Sequence, residues 1–227
     1  MKILCSTALK AAVLEIIPLY EEEEGITVNV TFGPTNALIK ELDSSIQTDL
    51  VIFTQDAVQN LLNTTLLQGP RTDIASTGIG VAMKKGLKKP DIAQIDSFKQ
   101  FLLDAPSLAY TSDGVSGLYV EQLILSFNMT EALVAKTKRI KGGLAAELIM
   151  KGDVLYALQN ISELASVDGV EIIGPLPKEI QKVTTFSGAI ASRSRNMNHA
   201  VNFLKKIVSP EARAIFRIKG LDPIEIK

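Results

Sequence analysis

Within the first 60 residues, short β-branched or apolar runs alternate with stretches of helical period, and this alternation constrains the fold more than any other feature. Lys2 to Cys5 is an apolar run suited to a buried strand. Ser6 or Thr7 is then placed to cap a helix whose apolar positions are Leu9, Ala12, Val13, Ile16 and Tyr20, ending at Gly25. Thr27 to Phe32 alternates apolar and polar residues and reads as a second strand. Gly33-Pro34-Thr35-Asn36 reads as a turn before a second helix through Leu42. Asp49 to Phe53 is continuous and apolar, as buried parallel strands are, and Asp56 to Leu62 is a third helix. Strand and helix in strict alternation predict an α/β fold with parallel sheets and right-handed crossovers.

The remainder continues in kind. Arg71 to Ile74 leads into a glycine-bearing strand, Gly78 to Met83, with Gly80 expected to mark a bend. A helix is predicted over Ser97 to Leu103, a strand over Ser107 to Thr111 and a helix over Leu118 to Phe127. Gly142-Gly143 is expected to open a helix through Ile149, and Gly152-Asp153 to turn it into a strand, Val154 to Leu158. Val170 to Ile173 and Thr184 to Ala191 read as strands, Asn198 to Val208 and Pro210 to Arg217 as helices. No Pro/Gly/Ser-rich tether interrupts the chain, so two lobes would be joined by strands.

Composition excludes several functions. Lys plus Arg (24) balance Asp plus Glu (25), and no basic surplus points to nucleic acid. With one cysteine and one histidine, a His/Cys metal cluster is excluded by count. Cys5 is expected to be a small core residue, and His199, beside the polar stretch Arg193 to Asn198, a solvated one. The acidic run Glu21 to Glu24 opposes the helix macrodipole and reads as a solvated tip. No apolar run is long enough for a membrane helix. The apolar run at the start is too short for a signal peptide and Lys10 interrupts it, so the chain reads as either cytoplasmic or a mature sequence.

A ligand site is expected at the carboxyl edge of the sheets, where strand-to-helix loops gather. The candidates are Ser6 and Thr7, Thr35 and Asn36, Ser112, Ser116 and Gly117, Gly143, and Gln159 after the strand that ends at Leu158. Helix starts offer unpaired N–H groups and a partial positive charge, and hydroxyls add neutral donors. Several starts together suit an anion without requiring a lysine or arginine. Arg71 is a candidate counter-charge. Gly78-Ile79-Gly80 is no dinucleotide fingerprint, because it lies within a strand and lacks a third glycine. Asp153, Glu163 and Asp168 are scattered acids without a catalytic pairing, and no cofactor is expected.

The motifs Ser6 to Leu9, F-G-P-T-N-A-L at Phe32 to Leu38 and D-L-V-I-F at Asp49 to Phe53 resemble the first lobe of molybdate-binding-type periplasmic solute-binding proteins. The runs Arg71 to Ala82, V-S-G-L-Y at Val115 to Tyr119, Q-N-I-S-E-L at Gln159 to Leu164 and Gly169 to Gln181 are similar to a subgroup of that superfamily close to aconitate isomerase. The resemblance implies the two-lobed type II periplasmic-binding-protein fold, each lobe a mostly parallel sheet flanked by helices. Lobe one would span residues 1–82 plus 186–227 and lobe two residues 83–185. It further implies a hinged receptor that closes on a small anion, an ABC permease as partner, a periplasmic or extracellular location and a monomeric chain. Ser6, Thr35, Ser116-Gly117 and Leu144 match the binding positions of the family, whereas Gln159 stands where a tyrosine is often found and Asn36 where serine or glycine is usual. The two amides suit carboxylates better than tetrahedral molybdate or tungstate. The alternative implied by the subgroup is an isomerase of a tricarboxylate, which would need a base that no histidine supplies.

Overall fold

The computed structural model describes residues 1–43 and 47–225. The chain forms two contact units, Met1–Thr77 with Thr184–Lys227, and Gly78–Val183. Both are α/β units with sheets flanked by helices.

The first unit opens with strand β1 (Lys2–Ser6), a 3-10 turn (Thr7–Leu9) and helix α1 (Lys10–Glu24). Then come β2 (Asn29–Gly33), α2 (Thr35–Asp43), β3 (Leu50–Thr54) and α3 (Gln55–Leu62). Thr35 starts a helix directly, where a turn through Asn36 was expected. Strands β1, β2 and β3 are parallel, with Ser6 opposite Gly33 and Cys5 opposite Ile52. Period two sorts their side chains. Ile3, Cys5, Leu50 and Ile52 face one core, and Leu4, Val51 and Phe53 face the other. Both faces are covered, which is why these strands are apolar throughout.

Strand β4 (Leu67–Lys84) is a single 18-residue strand, longer than the separate lead-in and glycine strand expected. Its two ends belong to different units. In the second unit follow α4 (Ile95–Asp104), β5 (Leu108–Thr111), α5 (Val115–Ser126), α6 (Thr130–Val134) and β6 (Thr137–Ile140). Next are α7 (Glu147–Met150), β7 (Tyr156–Asn160), α8 (Ile161–Leu164) and β8 (Val170–Pro175). Strand β5 lies parallel to β6 and β7, while β4 runs antiparallel to β7 and β8. On one face Val81, Leu108 and Leu158 pack under α4 and α5. The other face is lined by Ala82, Ala109 and Ala157, whose small side chains let α7 and α8 come close. Gly80 has the same purpose: a Cβ there would lie 2.8 Å from Ile161 Cγ1 and 3.0 Å from the Gly174 carbonyl oxygen. Close packing, not a bend, requires that glycine.

The chain returns to the first unit through β9 (Val183–Ala191), α9 (Met197–Ile207), α10 (Pro210–Ile218) and the short β10 (Asp222–Pro223). Strand β9 is antiparallel to β3. Helix α9 supplies partners for the acidic end of α1, whose Glu22 and Glu23 are exposed as expected of a surface tip. Lys206 pairs with Glu23, and half-buried His199 lies 3.4 Å from Glu24 through Nδ1. The opposed macrodipole is met by Lys206 and by Gly25, which caps α1 in the left-handed conformation at φ 65°. No described helix is long and apolar enough to cross a membrane.

Candidate anion-binding site

In the first unit the parallel strands β1 and β2 end side by side at Ser6 and Gly33, so the chain turns into helix at adjacent points. The Ser6 and Thr35 hydroxyls meet there, Oγ to Oγ1 at 2.7 Å, and both residues are buried, at 4% and 6% exposed. Ser6 makes no side-chain bond to the helix that follows it, so it is not an ordinary cap. Thr35 and exposed Asn36 are the first two residues of α2, and Thr7 opens the 3-10 turn. Backbone N–H groups at such positions have no carbonyl of their own helix to bond. Each hydroxyl of the pair has one proton and two acceptor lone pairs, so one proton is left over to donate elsewhere.

Arg71 is committed within the first unit and is not a free counter-charge. Its Nε lies 2.8 Å from Asp73 Oδ1, and its Nη1 donates to Gln59 Oε1 at 2.8 Å. Asp73 also accepts from Ser187 Oγ at 2.7 Å and from Gln55 Nε2 at 3.0 Å. Burial acts to raise the Asp73 carboxyl, but the bonds from Ser187, Arg71 and Gln55 outweigh it and hold the group below the usual carboxylate range. Cys5 is fully buried, and burial pushes its thiol up, which removes it as a nucleophile.

In the second unit β5, β6 and β7 are parallel, and their carboxyl ends carry the other candidates. Helix α5 starts at Val115, three residues before the expected Leu118, so Ser116 and Gly117 lie in its first turn. Gly117 could be no other residue, because a Cβ would sit 1.6 Å from the Thr111 carbonyl oxygen. This contact locks the start of α5 onto the end of β5. Ser116 is buried beside it, and Thr111 Oγ1 is a buried atom with no hydrogen-bond partner among the described residues. Ser112 is engaged, both its N–H and its hydroxyl donating to the Ile140 carbonyl at 2.8 and 3.3 Å.

Gly142 and Gly143 do not open a helix. Both are left-handed, at φ 62° and 78°, and α7 begins only at Glu147. They form a turn whose backbone reverses at the end of β6, with the Gly142 N–H bound to Asp113 Oδ1 at 2.8 Å. Gln159 clamps this turn. Its Oε1 accepts from the Ala145 N–H at 2.8 Å and its Nε2 donates to the Gly143 carbonyl at 3.0 Å. At 1% exposed, with its amide consumed in this way, Gln159 shapes the turn that carries Leu144 and is not a ligand donor. The expectation that its amide would contact a carboxylate is corrected accordingly.

Behind Gln159 lies Glu163, which the sequence reading left among scattered acids. It is 7% exposed and accepts from Asn160 Nδ2 at 2.7 Å and from the Gln159 side chain. Burial pushes its carboxyl up to about 7, against the lowering effect of those amide bonds. The spacing Q-N-x-x-E was the available signal: it places two amides at the end of β7 and an acid in the turn of helix that follows.

Within its own unit each edge supplies amide N–H groups and small hydroxyls, and Arg71 of the first unit is paired with Asp73. A family model described as bacterial extracellular solute-binding protein matches residues 1–222. Aconitate isomerase from a Pseudomonas species is 28% identical over 231 residues, covering 99% of this chain and 88% of that protein. The periplasmic molybdate-binding protein of Azotobacter vinelandii superposes with a TM-score of 0.79 at 14% identity, covering 100% of both chains. The sulfate-binding protein SubI from Mycobacterium tuberculosis gives a TM-score of 0.77 at 13% identity, covering 99% of this chain and 87% of that one. These two likenesses are of fold. With the family match spanning nearly its whole length, the chain belongs to the bacterial extracellular solute-binding proteins.

Proposed function

We propose that this protein is a transport receptor for a small organic polycarboxylate, which it captures outside the cytoplasm as a monomer and hands to an ABC-type permease. The donors are the Ser6–Thr35 pair with the Thr7 and Asn36 amides in the first unit. In the second unit they are Ser116 and the amides of Gly117, Gly143 and Leu144. The observation that carries the reading is the buried Ser6–Thr35 hydroxyl pair at a helix start, which caps nothing and retains a proton to give. Neutral donors of this kind stabilise a bound anion without a counter-cation, because helix-start dipoles supply the positive potential. The similarity to aconitate isomerase over nearly the full chain supports a carboxylate over a metal oxyanion. Calorimetric titration with cis-aconitate, trans-aconitate, citrate, molybdate and sulfate tests the proposal. The expected result is one-to-one binding of a tricarboxylate more tightly than of either inorganic anion. Molybdate binding tighter than every carboxylate overturns the ligand class, and no binding of any of the five overturns the receptor.

A second reading is an isomerase of an unsaturated tricarboxylate, favoured by the same relative and by Glu163, a carboxyl group poised near neutrality. In that reaction a base removes a proton from the methylene carbon, the double bond shifts toward that carbon, and a proton is returned to the outer carbon of the original double bond. No further reactant is consumed. Incubation with cis-aconitate, followed by chromatography for the trans isomer, separates turnover from simple binding.

A further inference from the structure

Glu163 is buried without a cationic partner, and its surroundings offer hydrogen-bond partners to both its protonation states. Ionised, it accepts from Asn160 Nδ2 and from Gln159. Asn160 is itself 5% exposed, and its Oδ1 is buried with no hydrogen-bond partner among the described residues. The amide that donates to Glu163 thus carries an unmet acceptor, which suits the O–H of a neutral Glu163 carboxyl. The Gln159 side chain that holds Gly143 and Ala145 also bonds the Glu163 carboxyl, so a change of charge on Glu163 is felt at that turn. Charged neighbours do not set this balance. Lys84 on β4 and Glu147 on α7 are exposed, Glu171 on β8 is paired with Lys89, and Tyr156 on β7 packs edge-on against Phe101. None of them enters the causes of the Glu163 shift, which are burial, the two side-chain amides and the Asn160 backbone N–H.

We infer that Glu163 is a positioning residue for the Gly143–Ala145 turn, acting through Gln159, and that anion binding at this turn is coupled to uptake of a proton by its carboxyl group. The inference rests on the anion-receptor reading above. An incoming anion disfavours a buried carboxylate one side chain away, so binding and protonation support one another. The affinity for an anion therefore rises as pH falls across neutrality, by up to about tenfold per pH unit for one linked proton.

Two measurements test this, the first without any ligand. Amide NMR shifts of Gly143, Leu144 and Ala145 are followed from pH 5.5 to 8.5, in the native chain and in Glu163→Gln. A single titration near neutrality in the native chain, absent in the variant, is expected. Shifts that do not titrate, or that titrate equally in Glu163→Gln, overturn the coupling whatever the ligand proves to be. In the second, the tightest of the five anions is titrated at pH 8 in buffers of low and high ionisation enthalpy. Proton uptake by the native chain and none by Glu163→Gln is expected, with the variant binding as tightly at pH 8 as at pH 6.5. Binding without proton uptake overturns the inference and leaves the receptor intact. Absence of binding removes the receptor, and with it the inference, although the amide titration still reports on the clamp.

Discussion

At Ser6 and Thr35 a single contact separates structure from function. Replacing one hydroxyl of the pair leaves the other buried without its partner, at a cost of about 1–3 kcal/mol. Ser6→Ala and Thr35→Val are each expected to unfold at lower urea concentration with an unchanged m-value, and to weaken anion binding about tenfold by calorimetry. Gly117 is less forgiving. Its Cα approaches the Thr111 carbonyl so closely that even alanine requires the backbone to move. Gly117→Ala is expected to cost about 3 kcal/mol or more in urea unfolding, a class of loss reserved for overpacking and backbone strain. None of these contacts is written in local sequence. Ser6 and Thr35 are 29 residues apart, and Gln159 reaches 14–16 residues back to its turn. Small residues at strand ends were legible as candidates. Whether a polar group faces solvent, a ligand or another buried group depends on long-range pairing.

Among the elements, the parallel strands of the first unit were the most legible, because burial on both faces forces continuous apolar runs such as Leu50 to Phe53. Strand β6 was missed, since Thr137-Lys138-Arg139-Ile140 is an edge strand, paired among the described residues with β5 alone, and its exposed charges read as loop. The onset of α7 was misplaced because two successive left-handed glycines look, in sequence, like an opening and are in fact a reversal. The loop entering β3 shows how an element is held by one acid. Asp49 accepts from the Lys2 N–H at 2.8 Å, Ser194 Oγ at 2.9 Å and the Arg195 N–H at 3.1 Å, and also from Asn196. Burial acts to raise its carboxyl, yet these donors win and lower it below 3.8. A depressed folded value means that the stabilisation is complete above the unfolded pKa and is lost as pH falls through the folded one. Asp49→Ala is expected to lose about 3 kcal/mol at pH 7 and to be less sensitive than the native chain to acid below pH 4, by urea titration at each pH.

For the whole molecule, the α/β class followed from the order of strands and helices alone, and the passage between units was expected at the glycine-bearing strands. The decisive element, β4, is one strand whose residues up to Thr77 belong to one unit and whose later residues belong to the other. Sequence reading divides it at Arg71 to Ile74 and Gly78 to Met83 because polar residues and glycines interrupt the apolar run, yet the ladder with β7 and β8 continues through Gly80.

That layout has a temporal consequence. The second unit is built from one uninterrupted segment, Gly78–Val183, while the first needs both Met1–Thr77 and Thr184–Lys227. On a growing or threading polypeptide the inner module can be finished early, and its host must wait for β9 and α9 to arrive and close the Ile3–Phe203 core. Until they do, β3 shows an open edge and α1 an uncovered apolar stripe. The half-made host is thus the species a holding chaperone would meet.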